Sequence, residues 1–251
     1  MDDLPPAIAS DDSTAPSDGQ LPGHHAAGLK NSPDWRDLVI AVAVIWSVEL
    51  ALSVALAVLT GGGDLARVPL ALLAATLVST AVTFTMVYVL GCAKYGRSLR
   101  EGFHIRSVAL GPVLSGAAIG GLGALGAAFI LSGAPQGDSV MTRLMEEPVG
   151  LAVLATIALV LPPFEEVYFR GFLYPILARH LGGAWAVGIV ALWFGIAHVG
   201  QLAGSWIGIP VVFTMGLLWT LMRHKTGSLV PSLVSHMTYN LILVLLSLAT
   251  M

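Results

Sequence analysis

The chain has 251 residues, 56% of them hydrophobic and 11% charged, with a mean hydropathy of +0.82 and a net charge of -3. A soluble domain is roughly a quarter charged, so this composition excludes an ordinary globular protein and points to a membrane one. No basic excess suggests nucleic acid as a partner, and the single cysteine, Cys92, excludes an intrachain disulfide or a cysteine-rich metal site.

Residues 1–33 are rich in Asp, Pro, Ser and Gly and show no hydrophobic periodicity, so a disordered tail is expected there. The tail lacks the basic n-region and apolar core of a signal peptide. Its His24-His25 pair reads as solvated rather than metal-binding. Residues 34–251 form the expected membrane domain, with a motif-bearing core at about 149–250.

A spanning helix needs roughly 20 apolar residues. Seven stretches qualify: about 38–60, 68–92, 108–132, 149–180, 184–200, 205–222 and 229–250. The fourth is too long for one span and contains Pro162-Pro163, so a kinked helix or a span plus a second half is expected. Helices satisfy every backbone group inside a bilayer, and the short alternating segments of a barrel are absent. The expected fold is therefore all-α, a polytopic bundle of about seven transmembrane segments.

Positive charge orients it. With the N-terminus inside, the inner loops and tail carry Lys30, Arg36, Lys94, Arg97, Arg100, Arg106, Arg179, Arg223 and Lys225, whereas the outer loops carry Arg67 and Arg143. A cytoplasmic N-terminus is expected, in a multi-pass protein of a bacterial plasma membrane.

Two motif matches fail on context. GLGALG, from Gly121 to Gly126, follows no strand, so it is no dinucleotide fingerprint; Gly116 and Gly120 nearby give instead the small-xxx-small spacing of close helix packing. GGGD, ending at Asp64, lies in a loop, with no second intramembrane aspartate to share a proton.

Ionisable groups at membrane depth are costly and are functional candidates by default. Apart from Glu49, read as a helix contact or cavity-lining group, they fall in EEVYFR (Glu165, Glu166, Arg170), FGIAH (Phe194 to His198) and HMTYN (His236 to Asn240). Glu166 and Arg170 are spaced i,i+4 and can pair along one helix face, which leaves Glu165 free for chemistry. His236 and Asn240 share that spacing, as do Phe194 and His198, so an aromatic ring one turn below can restrict the imidazole. Glu165 lies 16 residues before Leu181 and His198 lies 15 after Gly183, on either side of a tight turn. At a common helical rise they reach similar depth. His236, 11 residues beyond Lys225, reaches it too. Taken singly each group could be helix glue; three depth-matched clusters point to one reactive cavity.

The ordered trio EExxxR, FxxxH and HxxxN resembles that of the CPBP intramembrane proteases, also called the Abi or CaaX-protease family. The match runs over about 160–242 with every motif residue intact. The resemblance implies hydrolysis of peptide bonds in or beside the bilayer. In that picture Glu165 activates water with His198, His236 and Asn240 stabilise the oxyanion, and Arg170 holds Glu166. It leaves two cofactor readings open: no metal, or a zinc-like divalent ion on Glu165, His198 and His236, although HExxH is absent. The expected partners are a peptide or membrane-protein substrate and the lipid bilayer. Two other classes use the same residues: a transporter with a Glu/Arg/His relay, and a non-catalytic immunity or scaffold protein on a protease fold. No inverted repeat supports the transporter.

Overall fold

A computed structural model describes residues 32–133, 140–202 and 206–249. The expected tail therefore lies outside the described residues except for its last two positions. Among the described residues every regular element is helical, as the composition required. The elements are α1 (Trp35–Thr60), α2 (Pro69–Gly91), α3 (Leu99–Gly102), α4 (Leu110–Ser132), α5 (Val140–Met145), α6 (Pro148–Val160), α7 (Pro162–Glu166), a π-helical segment (Val167–Leu173), α8 (Tyr174–Leu181), α9 (Gly183–Ala197), α10 (Gly208–Thr226) and α11 (Val230–Ala249).

Among the described residues five helical stretches are long and apolar enough to cross a membrane: Trp35–Thr60, Pro69–Tyr95, Leu110–Ser132, Pro148–Leu181 and Val230–Ala249. The expected count of seven is not reached, because the fifth and sixth stretches are helical in their described residues but are not among these five. The fifth is the 15-residue α9, and the 19-residue α10 ends on Arg223, His224 and Lys225. The fourth runs for 34 residues through Pro162-Pro163. Prolines are tolerated there because they open the first turn of α7, where their fixed φ suits the helix.

The start of α1 is fixed by an Asp34–Asp37 capping box: Asp34 Oδ1 accepts from Asp37 N at 3.3 Å, and Asp37 Oδ2 accepts from Asp34 N at 3.1 Å. The buried Asp37 also accepts from Lys94 and Tyr95, which ties the start of α1 to the end of α2. Cys92, just past α2, is free and buried. Asp64 caps the turn Leu65–Arg67 and pairs with Arg143 at 3.3 Å, a loop role. Glu49 accepts a hydrogen bond from Ser79, joining α1 to α2.

Glycine sets the closest approach in the bundle. A Cβ on Gly116 would meet the Pro231 carbonyl oxygen at 2.5 Å, and one on Gly120 would collide with the Ser235 carbonyl. These two positions let α4 lie directly against α11, the helix that carries His236 and Asn240. Gly120→Ala is expected to force the two helices apart, at about 1–3 kcal/mol for overpacking, and to lower activity with stability. Gly126→Ala on the same helix meets open space and should leave the melting temperature unchanged. Thermal unfolding of both variants in detergent checks the pair.

Candidate active site

Two prolines in the long fourth segment each free one backbone carbonyl, and a side chain from a distant helix takes each one. Pro162 has no N–H to return to the Ala158 carbonyl four residues back. Asn240 Nδ2, on α11, donates to that oxygen at 2.8 Å. Further on, the Tyr174 N–H bonds back five residues to Phe169 O in the π-helical segment. Arg170 O is thereby passed over, and Pro175 has no N–H to offer it. Arg223 Nε, on α10, donates to Arg170 O at 3.2 Å. An unmade backbone bond at this depth would cost several kcal/mol, so each pairing holds its side chain firmly.

The π-helical segment begins just after Glu166, and both Glu166 and Arg170 are fully buried. Arg170 Nη1 donates to Glu166 Oε1 at 2.9 Å. Its other two nitrogens are also engaged: Nε donates to Thr220 Oγ1 at 3.2 Å and Nη2 to the Gly216 carbonyl at 3.0 Å. The guanidinium lies over the Phe194 ring at 4.6 Å, a favourable cation–π position. Every Arg170 nitrogen therefore has a partner, which is the condition under which a buried charge is tolerated.

His236 Nδ1 lies 3.1 Å from the same Glu166 Oε1. An ionised carboxylate only accepts, so Nδ1 carries the hydrogen. Nε2 then faces Glu165 Oε2 at 3.7 Å, a gap too long for a direct bond and suited to a bridging water. The imidazole is stacked on Trp219, centroids 3.8 Å apart and planes 19° from parallel. Trp219 is in turn fixed by its Nε1–H to Ser235 Oγ at 3.0 Å.

His198 stands at the end of α9, where the last carbonyls lack intrahelical partners. Its N–H bonds to Gly195 O at 3.2 Å, tightening the turn and leaving Phe194 O to accept from His198 Nδ1 at 2.8 Å. The proton is therefore on Nδ1 and the lone pair on Nε2. The Phe194 and His198 rings lie 4.4 Å apart.

Glu165, His198, His236 and Asn240 all line one cavity of about 220 Å³, whose remaining walls are mostly apolar side chains such as Leu154, Val212 and Leu243. Glu166 and Arg170 sit behind that wall rather than in it. Glu165 is the more open of the two carboxylates, 24% exposed against 0% for Glu166. The arrangement thus offers one accessible carboxylate, two imidazoles and an amide inside an apolar chamber. Sequence reasoning missed Trp219, Thr220, Gly216 and Ala158. The proline spacing could have signalled Ala158, since Pro162 lies four residues after it; nothing in the local sequence marks Trp219.

The fit of a zinc-like ion was testable on the donor set. Among the described residues no three His, Cys, Asp or Glu side chains converge as a ligand set. Glu165, His198 and His236 line the same chamber but do not form such a ligand group.

Comparison with known proteins gives one match. Residues 147–242 match the family model described as type II CAAX prenyl endopeptidase Rce1-like. No curated protein and no solved structure matches the chain. The matched segment contains the double-proline helix, all three motifs and every residue lining the chamber from Leu151 to Asn240. Over that segment, somewhat more than a third of the chain, the protein is similar to the CaaX-type endopeptidases that this family model describes.

Proposed function

We propose that this protein is an intramembrane endopeptidase in which Glu165 activates water and His236 and Asn240 stabilise the oxyanion. The observation that carries the reading is the single chamber shared by Glu165, His198, His236 and Asn240. Glu165 is the carboxylate that solvent can reach, and it is not the one that Arg170 binds. It would take one proton from a water whose other hydrogen is accepted by His198 Nε2. The lone pair that His198 keeps on Nε2 orients that water.

Attack on the scissile carbonyl builds negative charge on its oxygen. His236, whose Nδ1–H is held by Glu166 and whose Nε2 donates once the ring carries its second proton, and the second N–H of Asn240, whose first is spent on Ala158, would meet it. Donors already in place in an apolar site need no reorganisation, which is where such stabilisation is most effective. Glu165 then returns its proton to the leaving amine. The substrate is a peptide or membrane-protein segment entering through the apolar walls. We place the N-terminus in the cytoplasm on the distribution of basic residues.

Asn240→Asp separates this mechanism from a metal-dependent one. A carboxylate cannot donate to Ala158 O and would oppose the oxyanion, so kcat should fall about 10²–10³-fold, the loss typical of one donor. Chelation should leave the wild-type rate unchanged. A variant that retains activity, together with chelator-sensitive wild type restored by zinc, would assign the site to a metal.

A further inference from the structure

Arg223 is a buried cation with an unusual neighbourhood. Its side chain is 4% exposed, yet no carboxylate among the described residues pairs with it. Its only hydrogen bond among those residues is Nε to the Arg170 carbonyl, and its guanidinium lies over the Tyr174 ring at 5.4 Å. Among the described residues the two Nη groups meet no acceptor, and neither is sealed from solvent; a guanidinium so placed favours an anion that meets its donors and its charge.

The groups around it are also basic. Burial, followed by the nearby charges of Arg223, Arg106 and Arg97, holds the His104 imidazole down to about 4. His104 Nδ1 is buried with no hydrogen-bond partner among the described residues. The nearest acid in this loop, Glu101, is turned back onto Ser98 in the capping box of α3.

This corner is built rather than loose. The loop before α4 is stitched to the turn after α10 by Leu229 N to His104 O at 3.1 Å and by Ser228 Oγ to Arg106 O at 2.7 Å. His104 is held at φ 56°, the left-handed region that a non-glycine residue seldom occupies. That conformation keeps the ring in the corner with Arg106 and Arg223. The His104 ring and the Arg106 and Arg223 guanidinium groups feel one another's charge there, and among the described residues no acid pairs with Arg223.

We infer that Arg223, Arg106 and His104 form a binding site for a phosphate group at the membrane surface. Arg presents a planar fork of N–H donors that matches phosphate oxygens, and a neutral imidazole can donate from its protonated nitrogen. Arg223 lies in the last turn of a membrane helix, the level of lipid headgroups, and Trp35 and Trp185 mark the beginnings of α1 and α9 as interfacial anchors do. A phospholipid headgroup is therefore the nearest source of phosphate, and free phosphate the other. Arg223 also holds Arg170 O, so an occupant would brace the π-helical segment behind the chamber. The site stands on binding alone, whether or not the chain is a protease.

The test uses the full-length protein in phosphatidylcholine vesicles, alone, with added inorganic phosphate, or with phosphatidylglycerol mixed into the bilayer. A higher melting temperature with phosphatidylglycerol, absent in Arg106→Gln and in Arg223→Met, is the expected result. A rise with inorganic phosphate alone, lost in the same variants, assigns the site to free phosphate and keeps it. Should Arg223→Met fail to fold, Arg106→Gln and His104→Asn carry the comparison, because Arg106 is exposed and Asn tolerates the left-handed backbone. Equal responses of wild type and both of these variants to either phosphate source, or no response in wild type, overturn the site.

Discussion

Glu165→Gln should lower kcat by about 10²–10⁴-fold, the contribution of a positioned general base, while the protein stays folded in the membrane. Gln fills the same volume in the chamber wall and can still accept a hydrogen bond, but it cannot take a proton from water. Glu165 is 24% exposed and its closest basic side chain among the described residues is His236, with Nε2 3.7 Å away, so little of the fold rests on its charge. His198→Ala should lose activity on the same scale with a similarly small effect on stability, since its ring is half-buried and bonds only the Phe194 carbonyl among the described residues. Turnover by purified variants, alongside melting temperatures in detergent, separates the two effects. Near-normal turnover by Glu165→Gln would remove Glu165 from the role of base.

Arg170→Ala should do the opposite and act first on stability. The substitution strands Glu166, a fully buried carboxylate that keeps the His236 Nδ1–H but loses its guanidinium partner. It also removes bonds to Thr220 and Gly216 and a cation–π contact with Phe194. Breaking a buried pair by deleting one partner costs about 3–5 kcal/mol, a large part of a typical protein's total stability. Glu166→Gln combined with Arg170→Met should recover much of that loss, because no uncompensated charge then remains. An Arg170→Ala protein that melts with the wild type, or a double variant no more stable than it, would show that the pair does not carry the core.

Much of this was open to reading because membrane helices make charge conspicuous. Glu165, Glu166, Arg170, His198, His236 and Asn240 stand out in apolar sequence, and i,i+4 spacing with a common rise was enough to bring four of them to one depth. The shared face of Glu166 and Arg170 was legible for the same reason. What sequence did not disclose depends on backbone register. The π-helical segment after Glu166 shifts hydrogen bonding by one residue, and no propensity rule marks where that occurs. Asn240 was expected to help stabilise the oxyanion; that one of its N–H groups is spent on Ala158 O, freed by Pro162, was not legible. Trp219, which stacks on His236, is one apolar residue among many in its helix. Span counting was weakest for α9, whose 15 residues fall short of a full crossing.

The most direct measurement is hydrolysis itself. Purified wild-type protein in vesicles, incubated with candidate membrane peptides in water enriched in heavy oxygen, should release a fragment whose new carboxyl terminus carries one heavy oxygen atom. Glu165→Gln should release none above background. A folded wild-type protein that cleaves no peptide, but moves protons with a solute across the vesicle membrane, would contradict the account and make the Glu–Arg–His cluster a relay.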